Sequence, residues 1–246
     1  MEPKVSLITS LYKAESFLMG FLEDITNQTI FNECELILIN ANSPDNEKEI
    51  VTPYLKEHDN IVYEELEEDP GVYAVWNIGV RMSKAPLLTN ANVDDRRDPS
   101  YLEKHKKILE ENPEIDLAYA NVLMTCEPNE TMERNTTIST YEFPEYSFLN
   151  LIKYNMPHCC PMWRKTLHDR FGYFREDMVS AADFDMWLRA ASQGSEFKKI
   201  NETLSLYYKN PCGVSTKSET IEQAVGEVMK LREQYMKHVD YREFTS

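Results

Sequence analysis

The run ELILINANSPD, Glu35–Asp45, decides how the chain is read. Glu35–Asn40 is a short, branched, almost continuously apolar segment, the pattern of a strand buried on both faces. The chain then turns polar, and Ser43-Pro44-Asp45 reads as a helix start, a cap residue followed by proline in the first turn. A buried strand that breaks into a polar loop and then a helix is half of a βαβ unit. The same alternation extends outward on both sides. Val5–Leu11 reads as a strand, and residues 14–27 carry Phe17, Leu18, Phe21, Leu22 and Ile25 at helical spacing. Ile61–Glu64 reads as a third strand, Val72–Ser83 as a helix and Pro86–Thr89 as a fourth strand. Asp98-Pro99 caps the next helix, and Ile115–Leu123 is a fifth strand. Such alternation defines an α/β fold with a mostly parallel sheet and helices on both faces.

The second half is patterned differently. Residues 126–145 are rich in Thr, Asn, Glu and Pro and read as a loop. Tyr146–Tyr154 reads as a short helix, Cys159–Arg164 as a strand, Asp183–Gln193 as a helix and Phe197–Lys209 as a strand. Residues 217–239 form a long polar helix with an apolar stripe. No repeat or low-complexity linker separates the halves, so a single domain over 1–246 is expected, with halves at 1–125 and 126–246.

Composition narrows the function. Among 246 residues, Lys+Arg number 26 against 42 Asp+Glu, a formal charge of −16 that repels phosphate backbones and anionic lipid. Nucleic acid and membrane surfaces are therefore not expected partners, and no apolar stretch is long enough to span a bilayer. Only 7 glycines are present, with neither a G-x-G-x-x-G run nor a P-loop. The 5 cysteines lack C-x-x-C spacing, and the start, Met1-Glu2-Pro3-Lys4, lacks the features of a signal peptide; both fit a cytoplasmic chain. His158, Cys159 and Cys160 are direct neighbours and cannot converge on one ion without distortion.

In open α/β sheets ligands bind beyond the carboxyl ends of the strands. The strongest feature there is Asp94-Asp95, after the fourth strand. Two adjacent carboxylates repel unless a cation or hydrogen-bond donors share them, and Mg²⁺ or Mn²⁺ completed by phosphates and water is one solution. A charged loop neutralised by Arg96 and Arg97 is the other. Ser10 and Tyr12 after the first strand, and Asn40, Asn42 and Ser43 after the second, could read a nucleobase or hold their loops. In Asp183–Arg189, Asp185 and Arg189 stand four apart and can pair, whereas Asp183 lies about 200° round the helix from Asp185. Asp183 is then either a working carboxylate or the third helical position of a capping box begun by Ser180.

At these residues the chain resembles a family 2 glycosyltransferase of the GT-A fold. Val5–Lys13 resembles the family's opening strand, Asn27-Gln28-Thr29 its N-Q-T, and Glu35–Asp45 its second strand and D-D-G-S loop. Gly71–Gly79 resembles the G-x-x-x-A-x-N-x-G helix, and Asn92-Val93-Asp94-Asp95 falls on the metal-binding D-x-D-D. Pro161–Lys165, Gly172-Tyr173-Phe174 and Asp183–Arg189 resemble the later blocks. The resemblance implies a GT-A fold with a nucleotide-binding sheet and a smaller mixed C-terminal half. It further implies an inverting transferase that moves a sugar from a nucleotide-sugar donor, a UDP-sugar by expectation, to a glycan or other hydroxyl acceptor. On that reading Mn²⁺ or Mg²⁺ sits on Asp94 and Asp95. Ser10, Tyr12, Asn40, Asn42, Ser43, Asn77, Asn92 and Asp94 contact the donor, and Asp183 is the general base.

The chain departs from the pattern at Asn92, where the family has an acid, at Asn40-Ala41-Asn42 for D-D-G, and at Ala182, where the family often has Glu. A late metal-binding His is absent, Asn210 being the nearest candidate. A catalytically silent nucleotide-sugar-binding module or partner subunit is the alternative those departures motivate.

Overall fold

A computed structural model describes residues 2–237 and 239. The first half runs β1 (Val5–Leu11), α1 (Glu15–Thr26), β2 (Cys34–Asn40), α2 (Glu47–Glu57), β3 (Ile61–Glu65), α3 (Val72–Met82), β4 (Leu87–Asn90), β5 (Arg96–Arg97), α4 (Tyr101–Glu111) and β6 (Ile115–Thr125). The remainder runs β7 (Ser139–Tyr141), α5 (Phe148–Tyr154), β8 (Met162–Arg164), α6 (Thr166–Phe171), α7 (Ala182–Ala191), β9 (Glu196–Tyr208) and α8 (Ile221–Met236). The strands join one sheet in the order β3-β2-β1-β4-β8-β6-β9-β5, with β7 paired to β6.

The sheet is parallel where the apolar runs are continuous. β3, β2, β1 and β4 are parallel neighbours, in the register Ser10↔Ile39 and Ile8↔Asn90. Every residue of β2 is buried, so both its faces need cover. α1 supplies it on one side through Leu18, Phe21, Leu22 and Ile25. α3 lies so close on β1 that a Cβ on Gly79 would stand 2.3 Å from Ile8 Cγ2, a spacing only glycine allows. Beyond β4 the pairing turns antiparallel at β8, and β6 and β9 are again parallel to each other. The main core continues into the second half, where Trp163 and Trp187 pack edge to face with centroids 5.2 Å apart.

Several expected boundaries shift for local reasons. The helix after β2 starts at Glu47 rather than Ser43, because residues 43–46 are first bound into a turn. Asn40 Oδ1 accepts from the Ser43 N–H at 2.8 Å, and Ser43 Oγ accepts from the Asp45 N–H at 3.2 Å. The short strands β5 and β7 and the helix α6 were not expected; a strand of two or three residues is too brief to show an alternating pattern. The helix expected over 217–239 occupies Ile221–Met236, and position 238 lies outside the described residues. Among the described residues no helix is long and apolar enough to cross a membrane.

Candidate active site

Parallel register brings the loops after β1, β2 and β4 to one edge of the sheet. The Ala41 N–H donates to Leu11 O and the Ala91 N–H to Ile8 O, both at 2.9 Å, so each loop leaves its strand beside its neighbour. Ser43 Oγ accepts from the Lys13 N–H at 2.9 Å and donates to Glu47 at 2.6 Å, and Glu47 also accepts from the Ala14 N–H. Glu47 is fully buried, and it ties the first loop to the second. Sequence reasoning missed this residue, since an acid in a helix's first turn is ordinary and nothing in its surroundings marks it as buried.

The expected nucleotide contacts divide by exposure. Tyr12 is 46% exposed with Lys13 Nζ 5.5 Å from its ring centre, and Asn42 is exposed with φ 53°, a conformation asparagine tolerates. Ser10 and Ser43 are half-buried. Asn40 is buried, and its amide is occupied by the Tyr63 hydroxyl and the Ser43 N–H, the loop-holding alternative. Asn77 is likewise buried on α3. Its amide donates to Phe174 O and Glu176 and accepts from the Phe174 N–H, so it clamps the segment leading to α7 rather than lining the strand-end loops.

Asp94 and Asp95 are adjacent but differently placed. Asp95 is 1% exposed, and both its oxygens are taken, one by the Asn92 amide at 3.0 Å and one by the Tyr208 N–H at 3.2 Å. Burial, reinforced by the neighbouring Asp94 charge, pushes its carboxyl well above the usual range, against the pull of Arg97. Asp94 is half-buried, and Asn210, 116 residues along the chain, donates its amide to Asp94 Oδ2 at 2.9 Å. Asn92, the position expected near a ribose, is half-buried and spends its amide nitrogen on Asp95.

This donor set bears on the expected metal. Mg²⁺ keeps several waters and needs only one or two carboxylates besides substrate phosphates. Asp94 can supply one carboxylate, with the Asn92 and Asn210 amides near it. Among the described residues no group of three His, Cys, Asp or Glu is arranged to hold an ion. The residues fit a cation brought in on a diphosphate, not one caged by protein alone.

Asp183 stands in the first turn of α7, where the helix dipole favours negative charge. Burial nonetheless raises its carboxyl to about 6, opposed by hydrogen bonds from backbone N–H groups, from Tyr73 and from Asn155. The Tyr73 hydroxyl lies 3.3 Å from Asp183 Oδ1. The capping box expected from Ser180 does not form: the cap residue is Ala181, with no side-chain bond. Glu227 on α8 instead caps the segment that enters the helix, its carboxylate accepting from the N–H groups of Val179, Ser180 and Ala181 at 2.8, 3.0 and 3.2 Å. Nothing local in the sequence could pair these segments. Glu227→Gln puts an amide N–H against those donors and is expected to lower unfolding free energy by about 2 kcal/mol in a urea titration. An unchanged midpoint would remove the cap assignment.

Asp185 and Arg189 pair as their spacing predicts, at 2.7 Å. Arg189 also donates to the carbonyls of Phe171 and Tyr173, so the pair fixes the loop between α6 and α7. Ala182, where the resembled family often has Glu, is fully buried.

A mostly parallel sheet with polar strand-end loops and a second, mixed half is the GT-A architecture. Known structures agree. The chain superposes on S. aureus TarS 1–349 in complex with UDP-GlcNAc with a TM-score of 0.73 at 20% identity, covering 96% of this chain and 67% of that one. It superposes on the mannosyltransferase PcManGT from Pyrobaculum calidifontis, in complex with GDP-Man and Mn²⁺, with a TM-score of 0.68 at 13% identity, covering 94% and 65%. The sequence model for glycosyl transferase family 2 matches residues 6–171, and the chain belongs to that family. It is similar to the uncharacterized glycosyltransferase MJ1057 of Methanocaldococcus jannaschii, 26% identical over 209 residues, 84% of this chain and 71% of that protein. Asp183 lies beyond the span matched by the family model.

Proposed function

We propose that this chain transfers a sugar from a UDP-sugar to a hydroxyl acceptor with inversion, with Asp183 as general base. The observation that carries the reading is the state of Asp183, a carboxylate held by Tyr73 and Asn155 and raised to about 6. An aspartate at its ordinary value of about 4 is a weak base, whereas one near 6 is ionised at neutral pH and accepts a proton more readily. In the proposed reaction the acceptor hydroxyl gives its proton to Asp183 as its oxygen attacks the anomeric carbon from the face opposite the leaving diphosphate.

Asp94 would hold Mg²⁺ or Mn²⁺ on that diphosphate, with Asn210 and Asn92 beside it. When bound, the cation supplies charge neutralisation for the leaving group. Tyr12, Asn42 and Ser43, on the strand-end loops, would meet base and ribose. The UDP-GlcNAc complex of the similar TarS structure supports a uridine donor, and the Mn²⁺ complex of PcManGT supports the cation.

A donor-binding module without turnover is the second reading, favoured by Asn92 and Ala182 standing where acids are common in the family. Calorimetric titration with UDP-glucose, UDP-GlcNAc and GDP-mannose, with and without Mn²⁺, followed by a nucleotide-release assay, separates the two. The transferase reading expects Mn²⁺-strengthened binding of a UDP-sugar and release of UDP. Binding without release across a broad acceptor panel selects the silent module, and no binding of any donor removes both.

A further inference from the structure

Against α5 lies a groove lined by none of the residues proposed to meet the donor. Its volume is about 680 Å³, and Tyr141, Phe143, Asn150, Tyr154 and His158 are among its lining residues. Cavities of roughly 300–1,000 Å³ are the usual size for small organic ligands. The wall is aromatic: the Tyr141 and Phe143 rings lie within 4° of parallel, and His158 is tilted against both with centroids at 5.3 and 6.1 Å. Tyr154 adds a ring that is 55% exposed. Flat apolar faces with hydroxyl, amide and charged groups at their edges match a sugar ring, which has an apolar C–H face and a rim of hydroxyls.

The groove adjoins the proposed base. Tyr154 and His158 flank Asn155, whose side chain hydrogen-bonds Asp183. Asn155 and His158 both take left-handed backbone conformations, φ 43° and 44°, and such strain in non-glycine residues gathers at functional sites. Asn155 Oδ1 and His158 Nδ1 are buried without a hydrogen-bond partner among the described residues, a need that ligand hydroxyls can meet. On its other side the His158 ring meets Tyr207 edge-on at 4.9 Å, and the next residue, Tyr208, holds Asp95 through its N–H.

We propose that this groove is the acceptor subsite and takes a saccharide, one ring resting on Tyr154 and Tyr141, with Asn155 orienting the reacting hydroxyl toward Asp183. The inference rests on the transferase reading above. The test is retention on a panel of immobilised oligosaccharides in the presence of UDP and Mn²⁺, comparing wild type, Tyr154→Phe and Tyr154→Ala. UDP affinity is measured on the same samples. Because Tyr154 is exposed, its truncation spares the core. Wild type and Tyr154→Phe are expected to retain a saccharide, and Tyr154→Ala to lose about tenfold in affinity while binding UDP as wild type does. Normal UDP binding with no saccharide retained, or retention indifferent to Tyr154→Ala, overturns the groove assignment alone. Failure to bind UDP overturns the donor reading beneath it. Wild-type turnover in Asp183→Asn removes the base while leaving saccharide retention in place.

Discussion

Asp183→Asn is expected to lose about a thousandfold in transfer and to melt higher than the wild type. The first effect follows from removing the group proposed to accept the acceptor's proton, since positioned acids and bases contribute about 10²–10⁴-fold. The second follows from linkage. The Asp183 carboxyl is raised from 3.8 to about 6 by burial. The folded chain therefore holds that proton more tightly than the unfolded chain. The associated stability is complete below pH 3.8 and is lost as pH rises through 6, which leaves a half-buried charge at neutral pH. Asparagine carries no charge and keeps one acceptor for Tyr73, so a gain of about 1–2 kcal/mol, or roughly 3–6 °C, is expected in a thermal melt at pH 7.5. The same value predicts that wild-type kcat/KM falls as pH drops below about 6, while UDP binding by Asp183→Asn stays at the wild-type level. A variant that turns over normally, or melts lower with intact UDP binding, would separate Asp183 from the proposed role.

The features readable from sequence are those set by local pattern. β1 and β2 were expected because a strand covered on both faces is an unbroken apolar run, and a parallel strand cannot return without a crossover helix. The Asp185–Arg189 pair was legible from four-residue spacing. What escaped depends on which distant segment arrives beside a residue. Glu227 caps residues more than forty positions earlier, and Glu47 is indistinguishable by type from the exposed Glu49. Asn210 is the nearest candidate for the absent histidine, but its 2.9 Å contact with Asp94 depends on β9 pairing with β5. Adjacency in sequence also hides a difference in surroundings: Asp95 is buried and bound by Asn92 and Tyr208, whereas Asp94 is half-buried and bound by Asn210.

That separation predicts opposite outcomes for two neighbouring substitutions. Asp95→Ala is expected to damage the fold. It strands the half-buried Asn92 amide and the Tyr208 N–H and removes the carboxyl near Arg97, itself 1% exposed with Nε and Nη1 lacking partners among the described residues. A buried guanidinium left with less counter-charge and newly unpaired donors together cost about 3–5 kcal/mol, visible as a large fall in the urea midpoint. Asp94→Ala removes a half-buried carboxylate bound by one amide, and its stability is expected to stay within about 0.5–1 kcal/mol of wild type. Its loss falls on function instead: the strengthening of UDP binding by Mn²⁺ should shrink by about 10–100-fold, since that carboxylate is the one proposed to meet the cation. Metal-free UDP binding serves as the control, because the base and ribose contacts proposed for Tyr12, Asn42 and Ser43 are untouched. If Asp94→Ala keeps the full Mn²⁺ effect, the cation is not held there. If Asp95→Ala folds as well as wild type and loses the Mn²⁺ effect, the two carboxylates have been assigned the wrong way round.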